Sequence, residues 1–200
     1  MRSLLPIVCL SCCAFAPVEA QWFLGVEGAT SAYRGSSRDT TQTHATPEGR
    51  PGSGVALTLL VDRQWHRTGA AIRVSYSNTG FTVAGNGLNL TDRTTGQLLE
   101  TSLIVNTRVG GIGPSGAVDA EMGPALHLWD FDGEIHPRLG GLAAISYRWP
   151  IAGRLMGAIR AEGMISPSWF NSQDLPPEFE RRLTWRYAVG LGVRYRLSGE

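Results

Sequence analysis

From Leu183 to Leu197 the chain places an apolar residue at every second position: Leu183, Trp185, Tyr187, Val189, Leu191, Val193, Tyr195 and Leu197. Between them stand Thr184, Arg186, Ala188, Gly190, Gly192, Arg194 and Arg196. Side chains of an extended strand point alternately to opposite faces, so this stretch predicts a strand with one apolar and one polar or small face. The same period marks seven earlier stretches: 21–33, 53–62, 69–77, 99–109, 117–128, 139–149 and 154–165. Pro124 is a flaw in one of them, because proline removes a ladder donor. Most runs span about 9–13 residues, near the ~9–11 of a tilted strand crossing a bilayer and above the ~5–6 usual in soluble sheets.

The segments between the runs alternate in length. "GSSRDTTQTHATPEGRPG", "NTGFTVAGNGLNLTDRTTGQ" and "SPSWFNSQDLPPEFE" are long, "RQWHRTG", "GGIGPSG" and "PIAG" are short, and "WDFDGEIHP" is intermediate. In an up-and-down barrel all long loops then fall at one end and all tight turns at the other, the asymmetry of barrels that cross the bacterial outer membrane. The predicted fold is all-β, an eight-stranded antiparallel up-and-down transmembrane β-barrel.

Alternation alone does not say which face is inside. Three features favour an apolar face turned to lipid. The polar face mixes charge with glycine, as a narrow interior requires: Gly190 and Gly192 lie near Arg194, and Gly123 near Glu121. The apolar face is read as free of charge along the strands. Its aromatics gather near strand ends, with Trp22, Tyr147, Trp149 and Tyr195 toward the short turns and Tyr76, Trp185 and Tyr187 toward the long loops, as in two interfacial girdles. The reading left open beside this is a soluble, lipocalin-like binder with the same face turned inward.

Composition adds an address. Arg2 precedes the apolar "LLPIVCLSCCAFAP", and Val18 and Ala20 have the small-residue spacing of a signal-peptidase site, so residues 1–20 read as a cleaved export signal and 21–200 as a single barrel domain. All 3 cysteines lie in that signal, which leaves the barrel no disulfide or thiol chemistry. The 18 basic residues are all arginine, the net charge is +1, and no basic run marks a nucleic-acid partner.

Export signal, eight alternating strands, loop asymmetry and an aromatic-rich last strand together resemble the small outer-membrane barrels of the OmpA and OmpX type. The resemblance covers Gln21 to Leu197 and is one of pattern. It implies residence in the outer membrane of a Gram-negative-type bacterium, with outer-membrane lipid, lipopolysaccharide and the barrel-assembly machinery as partners and no cofactor. One departure is the C-terminus: such barrels commonly end on an aromatic, whereas here Ser198, Gly199 and Glu200 follow Leu197.

An eight-stranded interior holds side chains and little else. Glu27, Glu100, Asp119, Glu121 and Glu162 face it together with Arg73, Arg108, Arg160, Arg186 and Arg194, and the expectation is an ion-paired plug. Pairing through "GGIGPSG" sets Arg108 opposite Asp119, Asn106 opposite Glu121 and Glu100 opposite His127. The first alternative function is a small ion-conducting channel through the same charges. Catalysis would need Ser102, His127 and Glu100 to act together; the His-x-Ser motif of lipid A deacylase barrels is absent, because Trp129 stands two residues after His127. No metal-ligand spacing is present, and "DFDGE" lacks the remaining ligands of a calcium loop. Asn86-Gly87, flanked by Phe81, Val83, Leu88 and Leu90, predicts a hairpin that continues the third and fourth strands as a protruding ribbon. The resemblance to OmpX-type barrels implies that such an edge could bind an extracellular protein by strand addition through loop 78–97, the alternative being a simple ordered loop, and the expected role is structural or surface-interacting.

Overall fold

The structure, a computed structural model, describes residues 20–39, 48–85, 88–92, 96–131, 133–171 and 177–197. The expected export signal lies outside them except for Ala20, as do Asn86, Gly87 and Asp132. Among the described residues eleven strands form one antiparallel sheet: β1 (Gln21–Asp39), β2 (Glu48–Pro51), β3 (Gly54–Trp65), β4 (Thr68–Asn78), β5 (Phe81–Gly85), β6 (Leu88–Asp92), β7 (Gln97–Gly110), β8 (Ala117–Phe131), β9 (Glu134–Ala152), β10 (Leu155–Ser166) and β11 (Phe179–Arg196). The eight long strands run in the order β11-β10-β9-β8-β7-β4-β3-β1, and β1 closes on β11 from Phe23↔Arg196 to Asp39↔Phe179. Each corresponds to one alternating run of the sequence, extended at one or both ends.

The packing is inside out relative to a soluble protein. Val55 is 74% exposed, Leu103 57%, Ile145 61% and Leu191 62%, whereas Glu100 is 1% exposed and Arg160 3%. A lipocalin-like binder needs the reverse. An unbroken apolar belt of this kind is stable only against hydrocarbon or a partner.

Pro124 does not end its strand. β8 runs through it, but β7–β8 pairing lapses at Leu103 and Ile104, between Ser102↔Ala125 and Val105↔Met122. Gly123 sits in that gap because a Cβ there would fall 1.8 Å from the Leu103 carbonyl oxygen.

The long-loop end corrects one expectation. β4 stops at Asn78, and the Thr79 and Gly80 N–H groups donate to the Gly96 carbonyl at 3.0 and 3.1 Å. The predicted hairpin forms as β5–β6, but it leans over the rim instead of prolonging β4 and β7. There β5 pairs with β2 along Glu48↔Ala84 to Pro51↔Phe81, and β2 pairs with the top of β1. A bulge in β1 between Gly35 and Ser37 makes this bend; Gly35 has φ +75°, and a Cβ there would meet the Leu183 carbonyl at 2.1 Å.

Candidate functional site

Inward parity on each barrel strand delivers one or more charged groups to the lumen, where they form one continuous network. Near the long-loop end Arg186 Nη1 reaches Glu100 Oε2 at 2.7 Å, and His127 Nε2 lies 3.0 Å from the same oxygen. Arg186 also bonds Glu162, which Arg160 and Arg73 share, the latter at 3.1 Å. Arg73 extends to Glu27 at 2.7 Å and Arg160 to Glu121 at 2.8 Å. Toward the short turns Arg194 donates to Asp62 at 3.1 Å, while Arg148 Nε donates to Asp119 at 2.5 Å. Ser146, Gln64 and Asn106 occupy remaining acceptor positions on Glu121 and Asp62. All these charged side chains are buried. Removing one partner from such a pair costs about 3–5 kcal/mol, so the lumen is committed to its full complement.

The structure thus brings together Glu27, Arg73, Glu100, Asp119, Glu121, His127, Arg160, Glu162, Arg186 and Arg194. It leaves Arg108 outside. Arg108 is the cross-strand neighbour of Asp119, as Asn106 is of Glu121 and Glu100 of His127, but the register shifts between Arg108 and Gly110 and its side chain is exposed. Asp119 takes its cation from β9 instead, as Arg148. Sequence reasoning missed Arg148 and Asp62 as network members. The signal was present: Asp62 shares parity with Thr58 and Leu60, and Arg148 with Ala144 and Ser146.

Above the ions sits a second filling that no alternation announced. Trp169 and Phe170, in the turn after β10, fold into the mouth against Tyr33, Leu98 and Trp129, with Phe81 and Phe131 packed alongside. Trp169 meets Trp129 edge-on at 5.0 Å and stacks on Phe81 at 6.0 Å. Arg138 holds the turn, donating to the carbonyls of Ser168 at 2.7 Å and Trp169 at 3.1 Å. Beneath this plug the lumen retains a void of about 20 Å³ beside Glu27, Thr58, Arg73 and Ser75, space for about one water.

Of Ser102, His127 and Glu100, His127 and Glu100 are in contact. Ser102 Oγ is buried without a hydrogen-bond partner, so His127 does not activate it. Asp130, from "DFDGE", accepts the Gly133 N–H at 3.1 Å and closes the β8–β9 turn. No group of three potential metal ligands occurs among the described residues.

On the outer face Trp22, Tyr76, Trp185, Tyr187 and Tyr195 are exposed, and Tyr147 stacks on a half-buried Trp149 at 5.6 Å. That face is not wholly free of charge. Arg63 shares outward parity with Val61, and its guanidinium lies 5.1 Å from the rings of both Trp22 and Trp65. At a strand end an arginine stacked between indoles can reach the polar interface, so the charge does not sit in hydrocarbon.

The crystal structure of the outer-membrane protein OprG from Pseudomonas aeruginosa superposes with a TM-score of 0.58 at 10% identity, covering 90% of this chain and 96% of that one. The fold is that of the small outer-membrane barrels. Neisserial surface protein A gives a TM-score of 0.53 at 9% identity, with 88% of this chain and 97% of that one covered. No protein-family model and no curated protein matches the chain. Length, strand number and closure are thus shared with this barrel fold while the sequence is not.

Proposed function

We propose that the protein is exported to a bacterial outer membrane and works there as a closed barrel that anchors a surface-interacting tier, with a structural or adhesive role in the envelope. The observation that carries this reading is the pairing of an apolar outer belt with a lumen filled by ions and aromatics. The fold shared with OprG and Neisserial surface protein A supports the outer-membrane location. With the lumen occupied, the surface available to a partner is the tier of β2, β5 and β6. In it β6 is the last strand of the sheet and offers an edge to an extended segment of an extracellular protein. Outer-membrane lipid and lipopolysaccharide surround the belt, and the barrel-assembly machinery inserts it.

The test has two parts. Residues 21–200 refolded with detergent or lipid should show a gel mobility shift lost on boiling, and a β-rich monomer in plain buffer would sink the membrane reading. Cells displaying the protein should lose host-protein binding when residues 81–92 are deleted, and undiminished binding would remove the tier as the interaction surface. Unitary conductance in planar bilayers would favour the channel instead.

A further inference from the structure

At its short-turn end the barrel opens into a vestibule of about 550 Å³ whose polar lining includes Gln64, His66, Arg108, Arg148 and Arg196, with no carboxylate among its described wall residues. Asp62 and Asp119 are engaged within the ion-paired lumen. Asp62 accepts from Arg194, Gln64 and Asn106, and Asp119 accepts from Arg148 Nε. Arg148 is only 2% exposed, yet its Nη2 has no hydrogen-bond partner. A buried guanidinium donor without an acceptor is costly, and Arg148 is one of the residues that line the vestibule. The rim is fixed by the backbone: the Arg108 N–H donates to the Arg67 carbonyl at 2.7 Å and the Arg196 N–H to the Arg154 carbonyl at 2.9 Å. Each rim arginine is thereby tied to a second arginine in a neighbouring turn.

We propose that this vestibule is a binding site for a small oxyanion of the phosphoryl type. Arg148 forms the floor, Arg108 and Arg196 close over the ligand from the rim, and Phe23 and Met156 shield one side from water. Guanidinium forks match phosphate and carboxylate oxygens with paired N–H donors. The two rim forks, the remaining Nη2 donor of Arg148 and an imidazole, with no carboxylate among the described wall residues, favour a doubly charged phosphoryl group over a monocarboxylate. The ion-paired lumen above excludes passage, so the site captures and does not conduct.

The experiment titrates inorganic phosphate into the chain refolded in zwitterionic detergent at low ionic strength, read by calorimetry or phosphorus-31 linewidth. Saturable one-to-one binding with Kd below about 1 mM is expected. Arg108→Gln with Arg196→Gln should weaken it by about tenfold or more, while Arg34→Gln with Arg181→Gln, at the other end of the barrel, should leave it unchanged. Acetate should bind at least about tenfold more weakly than phosphate. Both double variants change rim or surface side chains, and the boiling-dependent mobility shift verifies that each is folded. Absence of saturation, as for a vestibule that holds water alone, would overturn the proposal. So would equal loss in the two double variants, or acetate binding as tightly as phosphate.

Discussion

Arg186 and Glu100 stand on β11 and β7, four strands apart in either direction around the ring, and join across its full diameter through the 2.7 Å contact of Nη1 with Oε2. Arg73 on β4 and Glu162 on β10 form a second tie of the same kind at 3.1 Å. These two contacts brace the barrel against flattening, which ladder hydrogen bonds between neighbours do not.

Breaking the first brace from one side should therefore cost more than removing it whole. Glu100→Gln or Arg186→Met alone is expected to destabilise the folded barrel by about 3–5 kcal/mol, because each leaves a buried charge behind. The double variant should lose less than the two singles combined. Urea titration in lipid vesicles, read by boiling-dependent mobility, measures both; strict additivity would mean that the two side chains do not act as a pair.

The outer belt makes its own prediction. Leu103→Arg puts a charge on a surface 57% exposed in the isolated chain, and in lipid it should cost about 2–4 kcal/mol. In a water-soluble protein the same exposed site would tolerate arginine. A loss below about 0.5 kcal/mol in vesicles would thus speak against lipid at this face.

The aromatic plug and the ionic lumen lie in series. Trp169→Ala combined with Phe170→Ala should loosen the mouth and make Trp129 accessible to an aqueous fluorescence quencher. Conductance in planar bilayers should stay at baseline, because the ions beneath still fill the bore. A measurable current from this variant would show that the plug alone seals the barrel.

Glycine positions separate close approach from open surface. Gly123→Ala is expected to abolish refolding or lower its yield severalfold, given the 1.8 Å clash with the Leu103 carbonyl. Gly28→Ala, where nothing lies within 4 Å, should refold like the parent. Equal yields from the two would mean that β7 and β8 do not approach as described.

The barrel strands were legible because period two is dictated by the backbone, and lipid on one side with a polar lumen on the other keeps the two faces chemically distinct. The limits of that logic show at particular residues. Arg108 has inward parity opposite Asp119, but it stands at the rim, where its side chain is exposed at the mouth and not drawn into the network. Trp169 and Phe170 belong to a turn, where parity has no meaning, so their insertion into the mouth left no pattern. β2, read as loop, is a four-residue strand of Glu48, Gly49, Arg50 and Pro51, with no apolar alternation to reveal it. Arg63 escaped because the alternating run was ended one residue too early, at Asp62.

The transverse pairs also constrain how the molecule can be assembled. Arg186 and Glu100 are 86 residues apart in the chain, and they meet across the bore of a ring whose seam lies between β1 and β11. A flat arc of four or five strands could hold its neighbour pairs, such as Arg148–Asp119, but would keep the transverse partners apart on its polar face. Rounding the sheet until those partners meet is the step that offsets the cost of desolvating them. The two transverse ties act as a closure checkpoint, open in a flat sheet and made when the ring rounds up.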